Sequence, residues 1–491
     1  MRQPWEINVW LEDRKESSFH AKFVNQLTND IQTGRLKSGM AMPGSRSMAQ
    51  RLGVNRKTVQ LAYEELESQG WLFASPRRGT FVADVLPEQG LTDGNRKLLN
   101  IDKGTYLSGS LVSELYRSSL TENHNGIGAN DGVPDPRLIP HELLSKAYRR
   151  AIIQSTRKGE LGYGDPRGVE SLRRSIMDML AMDRFMNPSL EEICVVRGSQ
   201  MGIYLASRVL NPQDGVIVCE ELSYPPAVAA FESNGFQVVR CGLDLYGLNT
   251  DALRAIIQQH KVAAVYTTPH HQYPTTVSMS MERRLMLLAL SNEYRFWILE
   301  DDYDHEFHYE TRPIPPLSSL NGADNVVHIG SMSKVFSPAL RLGYIAANKR
   351  FIDLVAKEIL LIDRQGNTIT ELAVSYLMES GDVKRHIRKM RRNYQLRRDF
   401  AMCEFYRVFG DDIVIEKPAG GMALWIDLQK ITHDKSADRF SHPDFHFNKL
   451  FNTEKNNLTH IRFGFGALEK KEITASIEQL AKMLSKISPT N

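Results

Sequence analysis

Four cysteines in 491 residues, Cys194, Cys219, Cys241 and Cys403, are too few and too scattered for a disulfide framework or a structural zinc site. Reduced thiols in a cytoplasmic protein are the expectation. No run approaches the ~18 apolar residues that a membrane span requires, and the first residues, Met1 to Glu6, hold no apolar core of signal length. Net charge is nearly absent as well. The 61 basic and 58 acidic residues leave +3, so the chain as a whole carries no strong field for polyanions or membranes. Internal repeats and low-complexity tracts are also missing. What remains is a long chain with 42% hydrophobic residues, enough for two or three units with cores of their own.

Charge is distributed unevenly. From Arg35 to Arg78 there are eight Lys/Arg against three Asp/Glu, a local excess larger than that of the whole protein. The same stretch reads as helices followed by a hairpin. Phe23, Val24, Leu27 and Ile31 form a helical stripe, Ser45 is placed to cap a second helix through Leu52, Gly53 makes a turn, and Asn55 caps a third. The hairpin turns at Ser75-Pro76-Arg77-Arg78-Gly79. Two short helices joined through one glycine present Asn55, Arg56, Lys57 and Thr58 at the end that enters a major groove. Arg56 suits guanine edges, Lys57 and Thr58 suit phosphates, and Arg77 with Gly79 suits a wing near the minor groove.

Residues 84–128 are polar and irregular apart from a short helical pattern at 111–120, and are read as a linker between a domain at 1–83 and one at 129–491. In the larger domain, apolar runs alternate with helical segments: Ile193 to Val196, Gly215 to Cys219, Val262 to Thr267, Phe296 to Leu299, Val326 to Ile329 and Gly343 to Ala347. That alternation predicts a parallel α/β sheet covered by helices. Past Arg350, long charged helices and a strand at Met422 to Ile426 predict a smaller C-terminal subdomain.

Lys334 follows Ser331-Met332-Ser333 and precedes Arg341; an acidic run, Glu300-Asp301-Asp302-Tyr303-Asp304, lies some thirty residues upstream. An amine for a Schiff base, an acid for a pyridine nitrogen, and hydroxyls with a guanidinium for a phosphate are what pyridoxal 5'-phosphate (PLP) requires. Asp301 is placed for the ring nitrogen and Tyr303 for the phenolic oxygen. Ser331, Ser333 and Arg341 are phosphate candidates, Ser199 and Gln200 open a helix that offers further N–H groups, and Tyr224 is placed to stack on the ring. No metal is expected, because consecutive carboxylates on a strand point to opposite faces. His433, His442 and His446 read as solvent-facing.

The string Gly34-Arg35-Leu36, Met42-Pro43-Gly44-Ser45-Arg46, Leu52 to Val59, Ala62-Tyr63, Gly70-Trp71-Leu72 and Gly79 to Val82 resembles the winged helix-turn-helix of the GntR family. That resemblance places DNA contacts on Arg46, Arg56, Thr58 and Gly79. The strings Asp131 to Asp135, Leu161 to Gly168, Thr268 to Pro274, the acidic run and the Lys334 stretch resemble fold type I aminotransferases. Together the two halves resemble the MocR subfamily of bacterial transcriptional regulators. The resemblance implies that Lys334 forms the aldimine, Asp301 faces the pyridine, Arg341 holds phosphate, and Arg462 binds the carboxylate of an amino-acid effector. It further implies a homodimer on a double-stranded DNA operator, answering a small amine, an amino acid or PLP. One departure is Tyr273-Pro274-Thr275-Thr276, where catalytic relatives have Asn-Pro-x-Gly, which implies weak or absent turnover.

Overall fold

The computed structural model describes residues 19–76, 78–86, 132–159, 161–309, 314–432 and 460–485. Arg77, the helix expected at 111–120, and His433, His442 and His446 lie outside the described residues. The chain divides into two compact units.

In the first unit, α1 (Phe19–Gln32), α2 (Ser45–Leu52) and α3 (Arg56–Ser68) precede a hairpin of β1 (Leu72–Ser75) and β2 (Gly79–Val82). The apolar stripe of α1 is buried with Val59, Ala62 and Leu66 of α3 and with Trp71, Leu72 and Val82. Burying this stripe, more than helix propensity, holds three short helices in place. The hairpin is antiparallel, Leu72 opposite Val82 and Ser75 opposite Gly79. Asn55 caps α3 as expected, its side-chain oxygen accepting from the Lys57 N–H at 2.9 Å. The expectation for Ser45 is corrected. Gly44 is the N-cap of α2 and provides no side-chain bond, while Ser45 is already helical and its hydroxyl accepts from Arg56 Nε at 3.3 Å.

The second unit opens with α4 (His141–Lys158) and α5 (Glu170–Arg184), then runs β3 (Ile193–Val196), α6 (Ser199–Val209), β4 (Val216–Glu220), α7 (Pro225–Ser233) and β5 (Val238–Cys241). A two-residue-strand hairpin follows, β6 (Leu243–Asp244) and β7 (Gly247–Leu248). Next come α8 (Thr250–Gln259), β8 (Val262–Thr267), α9 (Met281–Tyr294), β9 (Trp297–Asp302), β10 (Val326–Ser331) and β11 (Gly343–Ala346). The C-terminal part contains α10 (Lys349–Ile362), α11 (Thr368–Glu379), α12 (Asp382–Phe409), β12 (Val414–Ile415), β13 (Ala423–Asp427), α13 (Gln429–Thr432), β14 (His460–Gly464) and α14 (Lys470–Ser485).

Seven strands form one sheet in the order β3-β11-β10-β9-β8-β4-β5. The sheet is mostly parallel, as expected, with one exception: β11 runs antiparallel to both β10 and β3. The connection from β10 to β11, residues 332–342, holds no more than a three-residue 3-10 turn (Pro338–Leu340), so the chain reverses beside β10 without a crossover helix. One face of the sheet packs on α6, α7 and α10 through Ile203, Phe231 and Val355, the other on α8 and α9 through Leu253 and Leu287. Such two-sided cover explains why the strands read as continuous apolar runs. A second, three-stranded antiparallel sheet, β12-β13-β14, packs with α12 and α14 as the smaller subdomain. No helix among the described residues is long and apolar enough to cross a membrane.

The Asn55 cap has a local consequence that can be read separately from the larger unit. Replacing Asn55 by Ala removes about 1 kcal/mol of helix stabilisation, whereas Asp retains it. Amide exchange in α3 should accelerate about five-fold in Asn55→Ala and stay near wild type in Asn55→Asp.

Candidate functional site

β9 ends in three acids, and a strand sends alternate side chains to opposite faces. It runs through Asp302, further than the expected end at Leu299, so Asp301 lies within the strand. Asp301 is 4% exposed; its Oδ2 accepts from the Tyr266 hydroxyl at 2.8 Å, and its Oδ1 has no hydrogen-bond partner among the described residues. Burial pushes this carboxyl up to about 7, against the lowering effect of the Tyr266 bond. A buried oxygen that lacks a donor is costly unless a cation meets it.

Glu300 and Asp302 face the other way into a buried ionic cluster. Asp302 pairs with Arg184, while Glu300 accepts from the Leu317 N–H at 2.7 Å and lies 3.0 Å from His328 Nδ1. Burial works to raise the Asp302 carboxyl, but Arg184 and His305 hold it far below the usual range. His305 is pushed down to about 3 by burial and by Arg184. His271 and Asp304 pair at 2.6 Å in the loops beyond. Among the described residues, no group of His, Cys, Asp and Glu is arranged to hold a metal ion.

Lys334 sits three residues past β10, its Nζ donating to the Gly132 carbonyl at 2.9 Å. Beside it, Ser331 Oγ accepts from the Ser333 N–H at 3.2 Å, and Ser333 Oγ is buried with no partner among the described residues. Strand register gathers the rest of this corner. Ser331 pairs with Gly343 on β11, and Gly343 pairs with Val196 on β3, directly before the turn into α6. A Cβ on Gly343 would meet the Gly330 carbonyl at 2.8 Å and Gly198 Cα at 3.0 Å, so glycine is what permits this approach. Gly198, at φ 81, starts α6 with Ser199 and Gln200 in its first turn. Gln200 donates to the Pro226 carbonyl at 3.0 Å, leaving a buried Oε1 without a partner among the described residues. The Arg341 guanidinium lies over Gly198 and donates to the Arg197 carbonyl at 3.0 Å. Hydroxyls, a helix N-terminus and a guanidinium thus converge at one end of the sheet, a donor set suited to a phosphate.

The third part joins the two sheets. Arg462, on β14 and 5% exposed, donates to the Pro274 carbonyl at 2.7 Å and lies over the Tyr273 ring at 4.9 Å. Its Nη2 is 3.5 Å from the Tyr303 hydroxyl, which itself donates to the His271 carbonyl at 2.9 Å. Tyr224 meets Tyr273 edge-on at 5.2 Å. The tyrosine at the asparagine position therefore packs between an arginine and another ring and brings no amide donor. Chemically, the site offers an amine at Lys334, an acid at Asp301, a phosphate corner and a buried guanidinium. These groups fit PLP, which would supply an aldehyde and an electron-poor ring.

In the head, Arg46, Asn55, Arg56, Lys57 and Gly79 are exposed and Thr58 is half-buried. Arg56 and Ser45 bring the first turns of α3 and α2 together. Gly79 has φ 112 at the start of β2, backbone that a side chain would strain. Sequence reasoning missed Tyr266 and the Gly132 carbonyl as partners of Asp301 and Lys334. Tyr266 is one aromatic in a buried strand, with nothing in the sequence to mark it.

Residues 134–478 match the family "Aminotransferase class I and II", and residues 21–82 match "Bacterial regulatory proteins, gntR family". The HTH-type transcriptional regulator TauR of Rhodobacter capsulatus is 30% identical over a region covering 84% of each chain. The probable rhizopine catabolism regulatory protein MocR of Rhizobium meliloti is 27% identical, covering 85% of this chain and 83% of its own. In the crystal structure of Pyrococcus horikoshii kynurenine aminotransferase in complex with PMP, the fold superposes with a TM-score of 0.66 at 25% identity. That match covers 79% of this chain and 99% of the other.

Asp301 carries a pH signature. With its carboxyl raised from 3.8 to about 7, the folded cofactor-free chain keeps a proton that the unfolded chain releases. Its contribution to stability therefore falls as pH rises from about 4 through about 7. The Asp301→Asn variant, whose amide oxygen still accepts from Tyr266, should lack this loss. At pH 8 the cofactor-free variant should melt at least as high as wild type yet bind PLP at least ten-fold more weakly, as thermal denaturation and cofactor titration would show.

Proposed function

The chain belongs to the class I and II aminotransferase family and joins that domain to a gntR-type helix-turn-helix; on that premise we propose that it is a PLP-dependent transcriptional regulator of the MocR type. It senses a small amine, an amino acid or PLP itself. Lys334 supplies the amine for the cofactor's aldehyde, Asp301 pairs with the pyridine nitrogen, and Tyr303 faces the phenolic oxygen. Ser199, Gln200, Ser331, Ser333 and Arg341 hold the phosphate, Tyr224 lines the ring, and Arg462 takes the effector's carboxylate. Arg46, Asn55, Arg56, Lys57, Thr58, Arg77 and Gly79 read duplex DNA.

The observation that carries this reading is the buried Asp301 Oδ1, lacking a donor among the described residues, in a chain whose α3 opens with the exposed cations Arg56 and Lys57. Tyr273, stacked under Arg462 and against Tyr224, favours sensing over turnover. The protein works in the cytoplasm as a homodimer. Apolar side chains left in the open support such pairing, Tyr163 and Leu361 each being 80% exposed.

An effector can bias DNA binding only by the difference in its affinity for two arrangements of the protein. The test is spectroscopic. Wild type loaded with PLP should show the visible absorbance of lysine-bound cofactor, and Lys334→Ala should lack it. Amines and amino acids should shift the band and change DNA affinity, with no more than about one keto acid formed per site. Arg462→Ala should weaken amino acids at least ten-fold and leave simple amines unchanged. Absence of the band in wild type would sink the cofactor assignment; sustained keto-acid formation would make the chain a working aminotransferase with a regulatory head.

A further inference from the structure

The proposed function leaves unused the most basic helix of the protein. The first half of α12 places Lys384, Arg385, Arg388, Lys389 and Arg392 on one face, all exposed, while Val383, His386, Met390 and Tyr394 form the buried face. At 1.5 Å per residue these cations span about 12 Å, over which a duplex presents about seven phosphates.

Their placement works against the helix. Lys384–Arg388, Arg385–Lys389 and Arg388–Arg392 are like-charged pairs at i,i+4, each destabilising. Lys384 and Arg385 also sit in the first turn, at the positive end of the helix dipole, where cations are disfavoured. Compensation at that end is slight: Gly381 is the N-cap without a side-chain bond, and Asp382 is the one acid of the first turn. Asp382 is engaged by Arg385 at 2.6 Å, and Lys384 reaches Asp183 at 3.9 Å. Arg388 donates from Nε to the Lys384 carbonyl at 3.3 Å. Arg388, Lys389 and Arg392 make no ion pair among the described residues.

We infer that this face of α12 is a second DNA-contacting surface, on the aminotransferase-like domain, taking the phosphate backbone of duplex outside the sequence read by the head. The inference rests on the DNA-binding reading of the chain, which already brings a duplex to the protein. A polyanion of regular charge spacing matches five cations with little apolar surface among them. A membrane surface matches less well, because an interfacial helix exposes its apolar face and α12 buries its own.

The test uses the full-length protein, a fluorescent random-sequence duplex, and a titration between about 50 and 200 mM salt. Each lost phosphate contact lowers the slope of log affinity against log salt by about 0.9. The variant Arg388→Gln/Lys389→Gln/Arg392→Gln should lower the slope by about 2 to 3 and weaken binding more than ten-fold at the low-salt end. Its thermal midpoint should match or exceed wild type, since all three like-charged pairs are gone. If the triple variant melts lower, the single variants Arg388→Gln and Arg392→Gln decide, each expected to lower the slope by about 1.

Arg56→Ala in the head separates the two claims. An unchanged slope in the α12 variants, with binding lost in Arg56→Ala, overturns this inference and keeps the regulator. Failure of wild type to bind duplex overturns both. Loss of binding to phosphatidylserine vesicles with duplex binding intact assigns the face to lipid and overturns the inference.

Discussion

The carboxylate of Asp301 is the constraint on which the rest of the larger unit depends. Three consecutive acids end β9, and a strand cannot send them all one way. Asp302 and Glu300 are buried toward α5 and α9, where Arg184, Arg284 and His328 meet them. Asp301 is left alone on the opposite face with one donor, Tyr266. Removing a partner from a buried ion pair costs several kcal/mol, so the rear cluster anchors the strand end against a displacement that would bring Asp301 to water. The front carboxyl accordingly keeps its strained position, protonating more readily than a solvated acid, until a cationic group faces it. A pyridinium is such a group. The fold thus carries a cost at this buried carboxyl that a cation bound there would relieve.

That arrangement explains why the other site elements need not be rigid to the same degree. Lys334 already donates to a carbonyl, and Arg341 and Arg462 each donate to one as well. All three cations hold neutral backbone oxygens, partners that an anion or an aldehyde displaces at modest cost. Arg462 matters most here, because its partner Pro274 belongs to the loop after β8 while Arg462 itself belongs to the three-stranded sheet. A carboxylate taken by Arg462 competes with the Pro274 carbonyl, and so acts on a contact between the two sheets. Under the proposed function this is where effector chemistry meets the packing of the domain.

Much of this was legible in the sequence, for identifiable reasons. Apolar runs buried on both sides mark strands whatever their partners, and Val262 to Thr267 was found to the residue. Lys334, Asp301 and Arg341 stand out because amine, acid and guanidinium are the groups that one cofactor's aldehyde, ring nitrogen and phosphate call for. The direction of one strand was not legible: Gly343 to Ala346 looks the same parallel or antiparallel, and its reversal is set by its pairing with β10 and β3. Ser45 and Gly44 are both acceptable N-caps, and the choice depends on backbone angles, which at Gly44 are non-helical with ψ 146. Tyr266 became a site residue only through the pairing of β8 with β9, and no local pattern encodes that register. The charged face of α12 was legible only as a helix; what sets it apart is that Arg388, Lys389 and Arg392 meet no acid among the described residues.

Under the proposed function, a sensor joined to a DNA reader on one chain allows two physically distinct routes of control. The aminotransferase-like domain can act by changing how a pair of heads is presented to its half-sites, a geometric effect that salt leaves largely intact. It can also act through cations of its own, a Coulombic effect that falls steeply as salt rises. The two routes differ in what an effector must do. Geometry demands a differential contact between two arrangements of the proposed dimer. Charge needs only a change in how near α12 lies to the duplex. Because α12 also builds the core of the smaller subdomain with β13 and β14, the strand that carries Arg462 and the helix that carries the basic face share one packed unit. A carboxylate bound at Arg462 therefore acts on the same rigid body that presents Arg388, Lys389 and Arg392, and packed bodies of this kind transmit small displacements instead of absorbing them.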